Sequence, residues 1–146
     1  MSKLALTCML TLLTAARGQE REEPAFAVVV NVANECKLEG EAVTGLVKKL
    51  FLKQLTKWPD GLDARPYARE RGAEQAAFLQ QVLCMEEAEL ARHWLKMKTM
   101  NGTTPPRSVG SDRMLLKYVE KHDGAFGVVA LDVAREAAGV RILCTF

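Results

Sequence analysis

The stretch Val109–Leu131, VGSDRMLLKYVEKHDGAFGVVAL, decides how the rest of the chain is read. Ser111 and Asp112 stand ahead of an apolar pattern, where side-chain oxygens can accept from the free N–H groups of a first helical turn. Leu115, Leu116 and Val119 then fall on one helical face, with Lys117, Glu120 and Lys121 on the other. His122-Asp123-Gly124 ends the helix, with Gly124 free to take a positive φ there. Ala125–Leu131 is an apolar run suited to a strand covered on both faces. The unit is half of an α/β repeat, and it sets a helix start, a potential anion seat, beside a loop.

Upstream, Ala25–Val32 (AFAVVVNV) has the β-branched density of a central strand. Open α/β sheets gather ligands outside the carboxyl ends of their strands, so Asn34, just past this strand, is a site candidate. It suits a local turn equally well. Glu41–Leu55 is the clearest helix: Val43, Leu46, Val47, Leu50, Phe51 and Leu55 recur at spacings of three and four, with Lys48, Lys49 and Lys53 on the solvated side. Trp58-Pro59-Asp60-Gly61 stops it, and Trp58 is expected to pack over the helix end. Leu62–Ala68 reads as a short edge strand, because Pro66 is tolerated only at an edge or bulge. The loop Arg69-Glu70-Arg71-Gly72-Ala73-Glu74 leads into a helix over Glu74–Leu83, and its two arginines and glycine would suit an oxyanion. Glu86–Lys98 is a further helix, with Leu90, Trp94 and Met97 as its buried stripe, and Asn101–Arg107 (NGTTPPR) is a linker. One helical turn over Asp132–Ala138 and a strand over Gly139–Cys144 close the pattern, with Val140, Ile142 and Cys144 facing one side. Helices alternating with apolar strands imply an α/β sheet flanked by helices, not a bundle.

Composition narrows the function. The chain has 146 residues, 49% hydrophobic and 26% charged, enough for one globular domain with a real core. Residues 1–18 carry a basic start, an uncharged apolar run Leu4–Leu13 too short to span a bilayer, and the small residues Ala16 and Gly18. A secretory signal peptide cut before Gln19 is expected, then a flexible lead-in over 19–24 and a single domain over 25–146. The product would be periplasmic or secreted, with no stable membrane insertion after cleavage. Loss of Lys3 and Arg17 leaves 18 basic against 18 acidic residues, which gives nucleic-acid binding no footprint. Cys36, Cys84 and Cys144 allow at most one disulfide, and each is most simply a small buried hydrophobe. No spacing fits a metal site or a cofactor, and no paired-carboxylate or Ser/His/Asp pattern stands out, so neither metal nor catalysis is expected. Cys84 and His93 are explained by helix packing.

Taken in order, VVVN, then LFLKQLTKWPDG (Leu50–Gly61), a basic glycine loop entering AFLQQVL, and GSDRMLLKYVEKHDGAFGV (Gly110–Val128) resemble the periplasmic phosphate-binding proteins of ABC transporters. The corresponding family segments read IF-G-x-x-x-x-W-x-G and V-x-x-x-P-G-A-I-G-Y. The similarity covers about residues 25–144 and is closest to short, single-lobe relatives. It implies one lobe of the periplasmic-binding-protein type II fold, a mixed sheet flanked by helices. It also implies a ligand, inorganic phosphate or a similar oxyanion, with Asn34, Arg69, Arg71, Gly72, Ser111 and Asp112 forming or bordering the site. The arginines would pair with oxygens and Gly72 would admit close backbone approach, while Ser111 would donate a hydroxyl or cap its helix. The chain departs from the family at the loop, which there resembles Arg-Ser-Asp-Gly-Ser-Gly-Thr. Here the hydroxyls are gone and Glu70 and Glu74 add negative charge. A lone lobe leaves the ligand hydrated, so affinity should be ~mM, about −4 kcal/mol. A second reading is an interaction module for an envelope or sensor protein that kept the fold and lost the ligand.

Overall fold

A computed structural model describes residues 23–146; the expected signal peptide lies outside them. Five strands form one sheet in the order β3-β2-β4-β1-β5. They are β1 (Phe26–Asn31), β2 (Arg65–Arg69), β3 (Arg107–Val109), β4 (Ala125–Ala130) and β5 (Val140–Thr145). Between them run α1 (Glu41–Phe51), α2 (Ala73–Phe78) continuing as a π-helical turn over Leu79–Leu83, α3 (Glu87–Asn101), α4 (Asp112–Lys121) and α5 (Leu131–Glu136). The sheet is mixed: β2 runs parallel to β3 and β4, whereas β1 is antiparallel to both β4 and β5.

Strand alternation divides the core into two layers. Val28, Val30, Phe126 and Val128 face α1, Phe78, Val82, Leu83 and Trp94. Ala27, Val29, Ala125 and Val129 face Leu115 and Val119 of α4 and Leu131 and Ala134 of α5. Each such large side chain contributes about 1.5–3 kcal/mol of transfer free energy, which is why β1 from Phe26 to Val30 and the whole of β4 are apolar. Two glycines in this part of the fold answer to close approach. A Cβ on Gly127 would lie 2.6 Å from Leu115 Cδ1, so the glycine lets α4 settle onto β4. A Cβ on Gly124 would lie 1.7 Å from the Asp63 carbonyl oxygen.

Several expectations are corrected. Gly124 is not among the positive-φ residues; what requires a glycine there is the Asp63 backbone. α1 ends at Phe51, four residues early, because Lys53 turns to φ 56 and Gln54 and Leu55 both donate to the Lys49 carbonyl. β2 is interior, not an edge. Its N–H groups alternate: Arg65 donates to Gly124 on the β4 side and Glu70 to Val109 on the β3 side. The Pro66 nitrogen therefore faces the β3 side, one residue before β3 begins opposite Tyr67, where no ladder bond is lost. The linker after α3 ends in β3, a three-residue strand the sequence reading did not separate. A register shift against Val28/Val29 pairs Val28 with Cys144 and Val29 with Ile142, leaving Leu143 as the extra residue. Cys144 thereby packs on the α1 layer while Val140 and Ile142 pack on the α4 layer. Trp58 packs edge-on to Phe126 at 5.3 Å and donates from Nε1 to the Gly124 carbonyl at 2.9 Å. All three described cysteines are free; Cys36 is buried, but Cys84 is exposed, closing the π turn at φ 51.

Candidate functional site

The carboxyl end of β2 opens into a cleft of about 970 Å³. One wall is the loop from Arg69 to Gly72 with Gln75, Ala76 and Leu79 of the following helix. The other is α3, presenting Glu87, Leu90 and Trp94. These residues are spaced three and four apart and so share one helical face. Phe51 lies at the base, and Pro105, Pro106 and Ser108 close the side. Lys53 Nζ donates to the Thr104 carbonyl at 2.7 Å, tying the proline segment to the end of α1; its burial pulls the ammonium below its usual pKa. His93 Nε2 lies 2.9 Å from the Leu52 carbonyl and ties α3 to the same corner.

The six sequence candidates separate into three places. Arg69, Arg71 and Gly72 line the cleft. Their side chains differ in what they can do. Arg69 alternates with Ala68, and its guanidinium lies on the α4 side of the sheet, 6% exposed. There it pairs with Asp112, donates from Nη1 to the Val128 carbonyl at 2.9 Å, and donates from Nε to the Val109 carbonyl at 3.2 Å. Its backbone N–H donates to Gln75 Oε1 at 3.1 Å, anchoring α2 to β2. Arg71 is exposed and, among the described residues, has no ion pair or side-chain hydrogen bond. Gly72 is exposed and extended, at φ 171.

Ser111 and Asp112 sit at the start of α4, outside the cleft lining. Ser111 is the cap: its Oγ accepts from the Met114 N–H at 3.2 Å. Asp112 is the first helical residue, and its carboxylate is committed to Arg69. The Glu70 carboxylate leans the same way; a side chain on Gly110 would meet Glu70 Oε2 at 3.0 Å.

Asn34 stands apart. Because β1 is antiparallel to β4, its carboxyl end meets the amino ends of β4 and β2, the rim opposite Arg69. The rule that led to Asn34 assumes parallel strands. The side chain is buried and shapes a turn: Oδ1 accepts from the Cys36 N–H at 2.9 Å, and Nδ2 has no partner. Arg141 Nη2 clamps the same turn from β5, donating to the Asn34 and Cys36 carbonyls at 2.6 and 2.9 Å.

Sequence reasoning missed the α3 wall. Leu90 and Trp94 read from the sequence as a buried stripe, and the Pro105-Pro106 pair as part of a linker. Nothing in helical periodicity distinguishes a side chain facing a core from one facing a cavity.

No protein-family model and no curated protein sequence matches the chain. Solved structures do match. An ABC-type phosphate transport receptor from Vibrio cholerae superimposes with a TM-score of 0.61 at 17% identity, covering 82% of this chain and 45% of the receptor. In fold, this chain is similar to a little under half of that receptor. A putative phosphate ABC transporter substrate-binding protein with bound phosphate from Clostridium perfringens gives 0.59 at 16% identity, over 82% of this chain and 44% of that one. A possible phosphate binding protein from Planctomyces limnophilus gives 0.54 at 16% identity, over 82% and 40%. The chain thus spans less than half the length of these binding proteins. The mixed α/β sheet flanked by helices is the expected one. No helix among the described residues is long and apolar enough to cross a membrane.

Proposed function

We propose that the chain is an exported solute-binding lobe that holds an oxyanion, inorganic phosphate first, weakly at the Arg71–Gly72 rim of the cleft. The observation that carries this reading is Arg71. It lines the cleft, is exposed and, among the described residues, has no side-chain partner, although the neighbouring Glu74 carboxylate stands 2.9 Å from where a Gly72 Cβ would be. The likeness in fold to phosphate-binding proteins supports it. Arg69, Ser111 and Asp112 have structural roles in it, holding α4 against β2 and β4, and Asn34 shapes the opposite rim.

The magnitude follows from the contacts. One exposed guanidinium supplies charge-assisted hydrogen bonds worth about 1.5–3 kcal/mol each when well formed, and Glu87 on the facing wall and Glu74 beside Gly72 oppose an anion. A dissociation constant of ~1 mM, about −4.1 kcal/mol, is the expected scale. The function is binding, with no chemical step assigned. In this reading the leader over residues 1–18 directs export, and its removal before Gln19 releases the product in the periplasm or outside the cell.

Titrating the purified protein with phosphate and with sulfate, followed by amide chemical shifts, tests the site. Shifts should appear at millimolar phosphate around Arg71 and Gly72 and vanish in Arg71→Ala. Shifts that survive Arg71→Ala would move the site elsewhere. The mass of the exported chain tests the leader: it should begin at Gln19.

A further inference from the structure

The cleft is far larger than the anion it is proposed to hold. Inorganic phosphate has five heavy atoms and fills on the order of 100 Å³, judged against ≈ 30 Å³ for one water. A space of about 970 Å³ is at the top of the range that accommodates a whole organic ligand. Its two walls are apolar where they meet: Leu79 from the π turn faces Leu90 and Trp94 from α3, with Pro105 at the side. The charges are not those of a pure anion site either. Arg69 is cancelled by Asp112 and the Glu70 carboxylate turns to Gly110, so the charges left on the lining are Arg71 and Glu87, with Glu74 beside Gly72.

We infer that the cleft takes a phosphomonoester of an organic amine, its phosphoryl group at Arg71 and its ammonium-bearing body over Leu79, Leu90 and Trp94 beside Glu87. The inference rests on the proposed anion site and names the class of molecule that fits it. Three features agree. Arg71 matches the phosphoryl oxygens, preferably two at once. The apolar wall gives the carbon skeleton surface to bury, at about 25 cal/mol per Å² removed from water. Glu87 lies one helical turn before Leu90 on the same face, so a cation resting on the wall meets a carboxylate. Bare phosphate gains only the first of these and meets Glu87 as repulsion. A methylated ammonium adds attraction to the indole of Trp94.

Phosphocholine is the probe, compared with inorganic phosphate on the intact purified protein by calorimetry and amide shifts. Phosphocholine should bind at least tenfold tighter, a difference of about 1.4 kcal/mol. Glu87→Gln, a change on the exposed first turn of α3, should weaken phosphocholine by ~3-fold or more and strengthen inorganic phosphate, as removing one nearby charge requires. Leu90→Ser should erode the phosphocholine advantage alone. Phosphatidylcholine vesicles carry the same headgroup as a phosphodiester: no binding is expected, and binding with the same Arg71 and Glu87 dependence would overturn the monoester and make a lipid the carrier. If phosphate binds through Arg71 and phosphocholine is no tighter, the organic ligand is overturned and the anion site stands. If neither ligand binds, or phosphocholine binds unchanged in Arg71→Ala, the anion site falls with it.

Discussion

Replacing Asp112 with alanine should cost the protein stability without touching the cleft. Asp112 is about one-fifth exposed and holds Arg69, whose side chain is 6% exposed. Breaking a buried pair by removing one partner typically costs about 3–5 kcal/mol, because the remaining charge stays behind uncompensated. Arg69 keeps its bonds to the Val109 and Val128 carbonyls, and water reaches the Asp112 end. Both place the loss at the lower bound, about 3 kcal/mol, out of a total of about 5–15 for an ordinary domain. The melting temperature should fall by ~10 °C, at a few degrees per kcal/mol for a chain of this size. Asp112→Asn keeps an acceptor and loses only the charge, so it should lie about halfway. Urea unfolding followed by tryptophan fluorescence measures both, since Trp58 and Trp94 are buried. Phosphate titration of the folded variant should agree with the parent within about twofold, because the released charge lies across the sheet from the apolar wall. A loss below about 1 kcal/mol would refute the reasoning. It would mean that the pair behaves as an exposed one, and would return Arg69 to the list of groups free to meet a ligand.

Two further outcomes follow from other parts of the fold. Gly124→Ala puts a methyl 1.7 Å from the Asp63 oxygen, so one backbone must move by more than 1 Å. The Gly124 carbonyl accepts from both Trp58 Nε1 and the Arg65 N–H at 2.9 Å, so the shift should cost about 3–5 kcal/mol through strain and lost bonds, read as a lower urea midpoint. Burial pushes the Cys144 thiol up to about 11, against a small opposing hydrogen bond at Val28. Iodoacetamide at pH 8 should therefore modify the exposed Cys84 well before Cys144, resolved by peptide mass. The raised value also sets a sign: the folded state holds this proton longer than the unfolded chain. Its contribution is intact below pH 9 and is lost as pH climbs from 9 towards 11.

The elements that could be read from the sequence are those whose pattern is local. α4 carries its own start signal in Ser111 and its own buried stripe, and β1 and β4 announce themselves by unbroken apolar runs. What escaped depends on partners remote in the chain. A strand's residues do not state its direction, and the antiparallel setting of β1 sent Asn34 to the wrong rim. β3 has only three residues, and the bulge at Leu143 appears only once β1 is laid beside β5. Arg69 was legible as a basic loop residue but not as the partner of Asp112, forty-three positions away. The half of the site that could be read was the charged loop; the half that could not was the α3 wall, whose spacing is the same as that of any core helix.

The placing of β1 governs how the polypeptide acquires its shape. It is the first strand described, yet both its neighbours, β4 and β5, come from the last part of the chain. A ribosome or a translocation channel releasing the polypeptide in order would deliver AFAVVVN long before anything exists to pair with it. Contacts so distant in sequence are slow to close, and an unpaired apolar strand left waiting invites aggregation. Synthesis in the presence of a holding chaperone should therefore raise the yield of native protein more than any change to the ligand supplied.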